Sequence, residues 1–105
     1  YSLVPNFEYK TKNFGKLDSI PAIYKIFNNG ELIYIGETKN LKARTAHHRV
    51  ADKWTFDEIG YSILDSNKDR LYWENDYLER HEKENGCLPM HNNNRGHKNV
   101  VPINY

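Results

Sequence analysis

The sequence has little of what builds disulfide-rich or membrane-spanning proteins. Among its 105 residues there is one cysteine, Cys87, which excludes an internal disulfide framework and a metal site made only of thiolates. No apolar run approaches the length needed to cross a bilayer, and the first ten residues lack the charged head and apolar stretch of a signal peptide. We therefore expect a soluble, cytoplasmic protein with no membrane partner.

The composition indicates one globular domain with an uneven distribution of charge. A chain of 105 residues, of which 38% are apolar, is long enough for one hydrophobic core and too short for two. The formal net charge is only +1, yet basic side chains concentrate between residues 39 and 53 and acidic ones between residues 65 and 84. The basic segment suits an anionic partner, whereas the acidic segment suits cations or solvent.

Turn, capping and periodicity patterns predict the element order β-β-α-β-α. Two β-rich runs flank Asn-Gly within residues 22–36, and residues 55–65 have the alternation typical of a third strand. Helix formers behind capping residues predict helices within residues 37–53 and 66–86. We therefore predict an α+β fold in which a small three-stranded, mainly antiparallel sheet is flanked by helices.

The two flanks of this core have weaker patterns. Residues 1–20 show scattered aromatic side chains without a sustained period, so we expect an irregular or weakly extended arm that packs on the core. The end of the chain is rich in asparagine, and Pro102 limits its apolar stretch to an edge strand or a coil. We treat residues 95–105 as a C-terminal tail. Because the sequence begins with tyrosine, it is compatible with a processed chain or a part of a longer one.

The hairpin leaves the relative orientation of Tyr24 and Tyr34 open. A two-residue turn at Asn29-Gly30 would place the two phenols on opposite faces of the sheet. A three-residue turn over residues 28–30, closed by a bulge at Gly30, would pair Tyr24 directly with Tyr34 on one face. The sequence permits both turns, but only the second brings the phenols together.

The first helix presents two candidate functional side chains. Arg44 and His48 are four residues apart and therefore share one face. Because small apolar residues should pack on the sheet, we expect Arg44 and His48 on a flank, where they form either part of a site or a solvated basic surface. The small residues expected to face the sheet are Ala43, Ala46 and Val50.

The second helix places a carboxylate among apolar residues. At about 100° per residue, Glu74 shares the inward side with Leu71 and Leu78. An inward carboxylate is costly unless it is paired, protonated or bound to a cation. Glu74 is therefore either the partner of a buried cationic side chain or a metal ligand.

Several short motifs together resemble the GIY-YIG nuclease domain over roughly residues 21–94. The similar positions are "AIY" at 22–24, "YIG" at 34–36, Arg44, His48, Glu74 and Asn92. Two positions depart from the family pattern. Ala22 replaces the first glycine, where we expect the small residue to serve packing, and Glu37 follows the second motif where some members have a lysine.

The resemblance implies a divalent-metal-dependent endonuclease that hydrolyses DNA phosphodiester bonds. Glu74 would bind Mg²⁺, with Mn²⁺ as a substitute, and Arg44 would hold the non-bridging phosphate oxygens. Tyr24 or Tyr34 would orient and deprotonate the attacking water, and His48 would share the proton relay. Asn92 would tie the loop after the second helix to the site, unless it serves turn formation alone.

The expected partner is DNA, bound through its backbone. The exposed basic residues that we expect to contact it are Lys39, Lys42, Arg49 and Lys53. We expect the DNA target to be selected by the N-terminal arm, by dimerisation, by a further domain, or by the tail with Arg95, His97 and Lys98. The alternative interpretations are a catalytically silent nucleic-acid-binding module with the same fold and, third, a relative of that fold used for protein interaction.

Overall fold

The protein consists of an antiparallel sheet flanked by two helices, as seen in a computed structural model that describes residues 5–7 and 9–92. In chain order the elements are β1 (Tyr9–Thr11), a 3₁₀ turn (Phe14–Lys16), β2 (Ala22–Asn28), β3 (Glu31–Thr38), α1 (Leu41–Val50), β4 (Glu58–Ile63) and α2 (Asn67–Asn85). The α+β class and the antiparallel sheet are confirmed. None of the helices in the described part of the chain is long and apolar enough to cross a membrane. The predicted tail, residues 95–105, lies outside the described residues.

The sheet has four strands in the order β1-β4-β2-β3, so the prediction of three strands is wrong. The additional strand, β1, belongs to the segment that we expected to form an arm. Its residue Tyr9 pairs with Tyr61 of β4, and the two rings stack at 5.3 Å between centroids. A strand of three residues is too short to show a period of two, but it satisfies backbone groups at the edge of β4.

The β2–β3 hairpin combines a two-residue turn with a bulge, which neither expected register includes. Asn29 and Gly30 both have positive φ, 52° and 83°, as a type I′ turn requires. The register then shifts between Ile26 and Phe27, which leaves Ile33 as the extra residue of a β-bulge. Our inference that a two-residue turn would separate the tyrosines is therefore wrong, because the extra residue returns Tyr34 to the face of Tyr24.

The sheet divides the core into two clusters. On one face Tyr24 and Tyr34 pack with Leu41 at the start of α1, together with neighbouring aliphatic side chains of the sheet. On the other face Ile23 packs with Trp73 of α2. Since Ile23 and Tyr24 are consecutive residues of the central strand β2, their side chains point to opposite faces. The tyrosine pair therefore lies on the α1 side of the sheet.

The inward face of α1 is different from the predicted one. Leu41, Thr45 and His48 are buried, whereas Ala43 is exposed and Val50 is 71% exposed. The helix buries its one leucine, which removes more apolar surface from water than an alanine does. Thr45 is tolerated in this position because its hydroxyl donates to the carbonyl of Leu41. His48 therefore points into the protein rather than along a flank.

The ends of α2 are as predicted, but one of its inward residues is not. The hydroxyl of Ser66 accepts from the backbone N–H of Asp69, and Gly86 ends the helix with φ of 80°. Glu74 is confirmed as an inward carboxylate at 6% exposure. Leu71, in contrast, is 46% exposed, because Trp73 occupies the inward side instead. The indole of Trp73 removes more apolar area from water than the leucine would.

Candidate active site

Two tyrosine rings meet above a glycine at the centre of the β2–β3 hairpin. Tyr24 pairs with Gly36 in the register, and the ring centroids of Tyr24 and Tyr34 are 5.9 Å apart. A Cβ atom on Gly36 would lie 2.5 Å from Cε2 of Tyr34 and 3.0 Å from the hydroxyl of Tyr24. Because the glycine of the "YIG" motif has no side chain, it leaves the space in which the two phenols pack.

Tyr24 is the first member of a hydrogen-bonded chain of three side chains. Its hydroxyl lies 2.9 Å from Nε2 of His48, and Nδ1 of the same ring lies 2.9 Å from Oδ2 of Asp52. A carboxylate can only accept, so Nδ1 of the neutral ring carries the proton and Nε2 is left as an acceptor. The Tyr24 hydroxyl therefore donates to His48, and His48 donates to Asp52.

The pKa values in this chain keep the proton on Tyr24 in the resting protein. Burial raises the pKa of Tyr24 well above its usual value of 10.0, and the neighbouring Tyr34 raises it further. Burial also lowers the pKa of His48 to about 4, against the opposing effect of Asp52. His48 is consequently a neutral acceptor near pH 7, and Tyr24 keeps its proton in the resting protein.

Arg44 brings positive charge to the phenols from the exposed side of α1. Burial acts to lower the pKa of its guanidinium, but charge and hydrogen-bonding interactions with Tyr24 and Tyr34 outweigh it and raise that pKa. The same interactions act to lower the pKa of Tyr24. Because Arg44 is exposed, its guanidinium connects the buried phenols to the surface, where it suits an anionic group in solution.

Glu74 reaches this site electrostatically from α2. It is 6% exposed, and its negative charge acts to raise the pKa of Tyr24. Among the described residues no group of three or more His, Cys, Asp or Glu side chains is arranged to hold a metal ion. One buried carboxylate nevertheless fits Mg²⁺, which retains several waters and takes a substrate phosphate oxygen as a further ligand.

Glu37, which follows the "YIG" motif, is neutralised by an arginine that the sequence analysis did not single out. Oε1 of Glu37 accepts from Nε of Arg70 at 3.0 Å, and Arg70 is only 2% exposed. Nη1 of Arg70 also donates to the carbonyls of Leu64 and Asp65. The Glu37 carboxylate therefore binds α2, so its charge does not stand alone beside the tyrosines.

Asn92 holds the chain after α2 against the edge strand β3. Its Oδ1 accepts from the Ile35 N–H at 2.8 Å, and its Nδ2 donates to the Ile35 carbonyl at 2.9 Å. The side chain thus forms both backbone hydrogen bonds that a neighbouring strand would form, and it is 1% exposed. Ile35 follows Tyr34 directly, so Asn92 supports the strand that carries the second phenol.

His48 is the end member of a stack of three aromatic rings, which covers one of its faces. Trp54 lies between His48 and His91, with 4.1 Å between centroids on each side and interplanar angles of 6° and 4°. The backbone N–H of Trp54 also donates to the His48 carbonyl at 3.0 Å. The stack shields the imidazole from solvent on one face and fixes its plane, so its nitrogens stay directed at Tyr24 and Asp52.

The structure brings four of the six proposed catalytic residues into mutual interaction, namely Tyr24, Tyr34, Arg44 and His48. Glu74 lies within electrostatic reach, and Asn92 contacts the backbone beside Tyr34 rather than the phenols. Sequence analysis missed Asp52 and Trp54. Asp52 had a usable signal, since it lies four residues after His48 near the end of a predicted helix, whereas Trp54 had none beyond being aromatic.

The four residues expected to contact nucleic acid are all exposed. They lie on α1 and in the segments that flank it: Lys39, Lys42, Arg49 and Lys53. Their helix is the one that carries Arg44 and His48, so the basic surface and the tyrosine site share one element. The tail residues Arg95, His97 and Lys98 lie outside the described part of the chain.

A scan against models of known protein families found no match to this chain, and a search of curated proteins likewise found none.

Proposed function

We propose that this chain is a divalent-metal-dependent endonuclease domain, similar to GIY-YIG nucleases, that hydrolyses DNA phosphodiester bonds. The observation that carries the proposal is the chain of hydrogen bonds from Tyr24 through His48 to Asp52, with the guanidinium of Arg44 beside the phenol. A buried phenol that shares its proton with an oriented imidazole is an arrangement suited to proton transfer.

The side chains divide the chemistry of the proposed reaction. Tyr24 accepts a proton from the attacking water once its own proton has moved to Nε2 of His48. The Asp52 carboxylate stabilises the imidazolium that then forms, since it already accepts from Nδ1. Arg44 binds the non-bridging oxygens of the phosphate, and its charge favours the phenolate form of Tyr24.

Glu74 is the residue proposed to hold Mg²⁺, or Mn²⁺ in its place. The bound ion would supply positive charge to the phosphate and to the leaving oxygen. Within the chain itself, the buried Glu74 carboxylate raises the pKa of Tyr24, so neutralising that carboxylate favours the phenolate. A cation bound to Glu74 on α2 would therefore favour deprotonation of Tyr24 on β2 by its charge, which needs no direct contact between the two residues.

DNA is proposed as the substrate because exposed basic side chains lie on the helix that carries Arg44 and in the segments that flank it. The helix α1 and its flanks expose four cationic residues and present Arg44 on the same element. Lysine and arginine contacts with phosphates provide affinity that is independent of sequence and falls steeply with salt. Binding to duplex DNA should therefore weaken between 50 and 200 mM salt by about 10-fold or more, since several counterions are released.

One observation favours the alternative, a nucleic-acid-binding module without activity. Tyr24 has 0% exposure, and burial raises its pKa well above the usual value. A phenol in that state reacts with water only if DNA binding and a cation change its surroundings. A protein that binds DNA while Tyr24 stays buried and protonated would have the same fold and would not cleave DNA.

The test is a cleavage assay on supercoiled, linear, branched and single-stranded DNA with Mg²⁺, with Mn²⁺ and with a chelator. We expect metal-dependent cleavage by the wild type and a rate about 10²–10⁴-fold lower for Glu74→Gln, with DNA binding retained. The matched control is Glu79→Gln, an exposed glutamate on the same helix, which should cleave as the wild type does.

The outcomes separate the two candidates. Unchanged nicking by Glu74→Gln would remove the proposed metal role. Wild-type binding without cleavage of any of the four substrates would favour the binding module, and absence of binding at low salt would exclude both candidates.

A further inference from the structure

A second candidate site lies on the opposite face of the sheet from the tyrosines. A cavity of about 370 Å³ is bounded by β1, β2, β4, α2 and the segment before β1. Its lining includes Lys10, Lys25, Phe27 and Tyr77. Lys25 follows Tyr24 in β2, so its side chain points away from the proposed nuclease site. The volume falls at the lower end of the range of small-molecule sites, roughly 300–1,000 Å³.

Aromatic rings hold the ammonium group of Lys25 in this cavity. Its Nζ lies 4.4 Å from the centroid of the Phe7 ring and 4.9 Å from that of Tyr77. Phe7 and Tyr77 themselves meet edge to face at 5.3 Å. The rings attract the cation through their π faces but accept few of its three N–H donors. Lys25 is therefore fixed in position and retains hydrogen-bonding capacity.

Lys10 directs a second ammonium group toward the same cavity. Its Nζ lies 5.9 Å from the centroid of the Phe27 ring. Neither Lys10 nor Lys25 forms an ion pair with any carboxylate of residues 5–7 and 9–92. Burial lowers the pKa of Lys25, and the charge of Lys10 lowers it further. An anion between the two ammonium groups would relieve their repulsion and replace the water that Lys25 has lost.

We propose that this cavity is a binding site for the phosphate group of a small phosphomonoester, bound between Lys10 and Lys25. Two compact ammonium groups, whose donors form no hydrogen bond with residues 5–7 and 9–92, match the two charges and several acceptor oxygens of a phosphate dianion. The proposal concerns a site separate from the tyrosine pair and does not rest on the proposed nuclease activity.

An adjoining cavity provides space for the organic part of such a ligand. It measures about 290 Å³ and shares Lys25 and Tyr77 with the first cavity. Leu32 and Ile35 contribute apolar surface to its lining, and Glu84 lies in its lining as well. Arg80 also lies in this lining and pairs with Asp76, so the opposite charges of Arg80 and Glu84 leave no net attraction for a second anionic group. The pair of cavities therefore suits a ligand with one phosphate and an uncharged, partly apolar remainder.

Calorimetric titration with phenyl phosphate, inorganic phosphate and uncharged phenol tests the site. We expect phenyl phosphate to bind with a stoichiometry of one, inorganic phosphate to bind more weakly, and phenol not to bind. Lys10→Gln should weaken phenyl phosphate binding by at least about tenfold, which corresponds to about 1.4 kcal/mol. Lys10 is exposed, so this variant removes the charge without opening the core.

Two further variants locate the binding. Lys25→Gln should weaken binding as Lys10→Gln does, whereas Lys16→Gln, which removes an exposed lysine outside the cavity, should bind as the wild type does. Arg44→Met should also retain full binding, which distinguishes this site from phosphate binding at the nuclease site. Amide NMR shifts caused by phenyl phosphate should centre on Lys10 and Gly60 rather than on Gly36.

Several results would overturn the proposal. They are the absence of binding at millimolar phenyl phosphate, wild-type affinity in both lysine variants, or loss of binding in Arg44→Met alone. Equal affinities for inorganic phosphate and phenyl phosphate would support the anion site but overturn the assignment of the organic group to the adjoining cavity. If circular dichroism shows that Lys25→Gln is unfolded, the affinity of Lys10→Gln and the NMR shifts decide whether the proposal holds.

Discussion

The carboxylate of Asp52 and the buried imidazole of His48 form a hydrogen bond of 2.9 Å between Oδ2 and Nδ1. Asp52 lies just beyond the last turn of α1, four residues after His48, so one short segment supplies both groups. The bond fixes the proton on Nδ1 and leaves Nε2 to accept from Tyr24. The orientation of the Tyr24 hydroxyl therefore depends on a residue that does not touch it.

Replacing Asp52 tests this dependence directly. In Asp52→Asn the new amide can donate to Nδ1, which moves the imidazole proton to Nε2 and removes the acceptor for Tyr24. We expect metal-dependent DNA cleavage to slow by about 10²-fold or more, within the range contributed by general base catalysis. Nitrogen-15 NMR of His48 near pH 7 should show the proton on Nε2 instead of Nδ1.

The control for this prediction is Asp65→Asn, which removes an exposed carboxylate outside the chain of hydrogen bonds. It should leave both cleavage and the His48 tautomer unchanged. If Asp52→Asn slows cleavage while the proton stays on Nδ1, the positioning role of Asp52 is wrong.

The low pKa of His48 predicts a loss of stability in acid. His48 has a pKa of about 4 in the folded protein, against the usual histidine value of 6.5, so between these values the unfolded chain binds more protons. The stability due to neutral His48 is therefore fully present above pH 6.5 and is lost as the pH falls toward 4. At pH 4 the loss should reach about 3 kcal/mol.

Urea unfolding at pH 7 and pH 4 measures this loss, with His48→Gln as the comparison. Glutamine stays neutral at both pH values and keeps hydrogen-bonding groups in the buried position. The variant should lose less stability on acidification than the wild type, by about 3 kcal/mol. The pKa of His91 is also lowered by burial, but His91 is present in both proteins, so its effect cancels in the difference. Equal losses in the two proteins would contradict the prediction.

The absence of a side chain at Gly36 predicts that stability is sensitive to any Cβ atom added at this position. A Cβ at this position would lie 2.5 Å from Tyr34, so one ring has to move in Gly36→Ala. We expect a loss of about 1–3 kcal/mol in the free energy of unfolding, typical of overpacking, together with slower cleavage. Gly60→Ala is the matched control in the same sheet, because its Cβ would meet nothing closer than Cγ of Lys10 at 3.5 Å.

Urea unfolding of the two alanine variants distinguishes steric displacement from a general intolerance of alanine in the sheet. Gly60→Ala should be as stable as the wild type within about 0.5 kcal/mol. Similar losses in both variants would contradict the assignment of Gly36 to the tyrosine contact.

Turns and helix caps, which depend on a few neighbouring residues, were predictable from the sequence. Features that depend on which side chains pack together in the folded protein were not. The Asn29-Gly30 turn and the Ser66 and Gly86 caps depend on the conformational preferences of the residues themselves. The bulge at Ile33 has no local signature. It becomes evident only when Tyr34 is seen to pack in the same cluster as Tyr24.

In the candidate site, too, local spacing was predictable from the sequence and long-range contacts were not. The spacing of Arg44 and His48 placed them on one helix face, but which face turned inward depended on the burial of Leu41. Asn92 and Arg70 contact backbone groups or side chains tens of residues away, so no pattern within a window of the sequence reveals them. Such pairings follow from the assembled fold rather than from periodicity.

Two arginine–carboxylate pairs of equal length provide the final prediction. The Arg70–Glu37 and Arg80–Asp76 pairs both measure 3.0 Å, but Arg70 is 2% exposed and Arg80 is 60% exposed. We expect Arg70→Met to lower the free energy of unfolding by about 3 kcal/mol, because it leaves Glu37 and two carbonyls without their partner. Arg80→Met should lower it by no more than about 0.5 kcal/mol, since solvent screens the exposed pair.

Urea unfolding of both variants checks the burial argument, and Glu37→Gln extends it to a double-mutant cycle. The double variant Arg70→Met/Glu37→Gln should be more stable than Arg70→Met alone, because it removes the carboxylate that has lost its cation. Equal losses for Arg70→Met and Arg80→Met would mean that distance, rather than burial, decides the contribution of each pair. A recovery in the double variant would instead show that Arg70 serves to neutralise Glu37, which keeps an acidic side chain beside the "YIG" motif from acting against an anionic substrate.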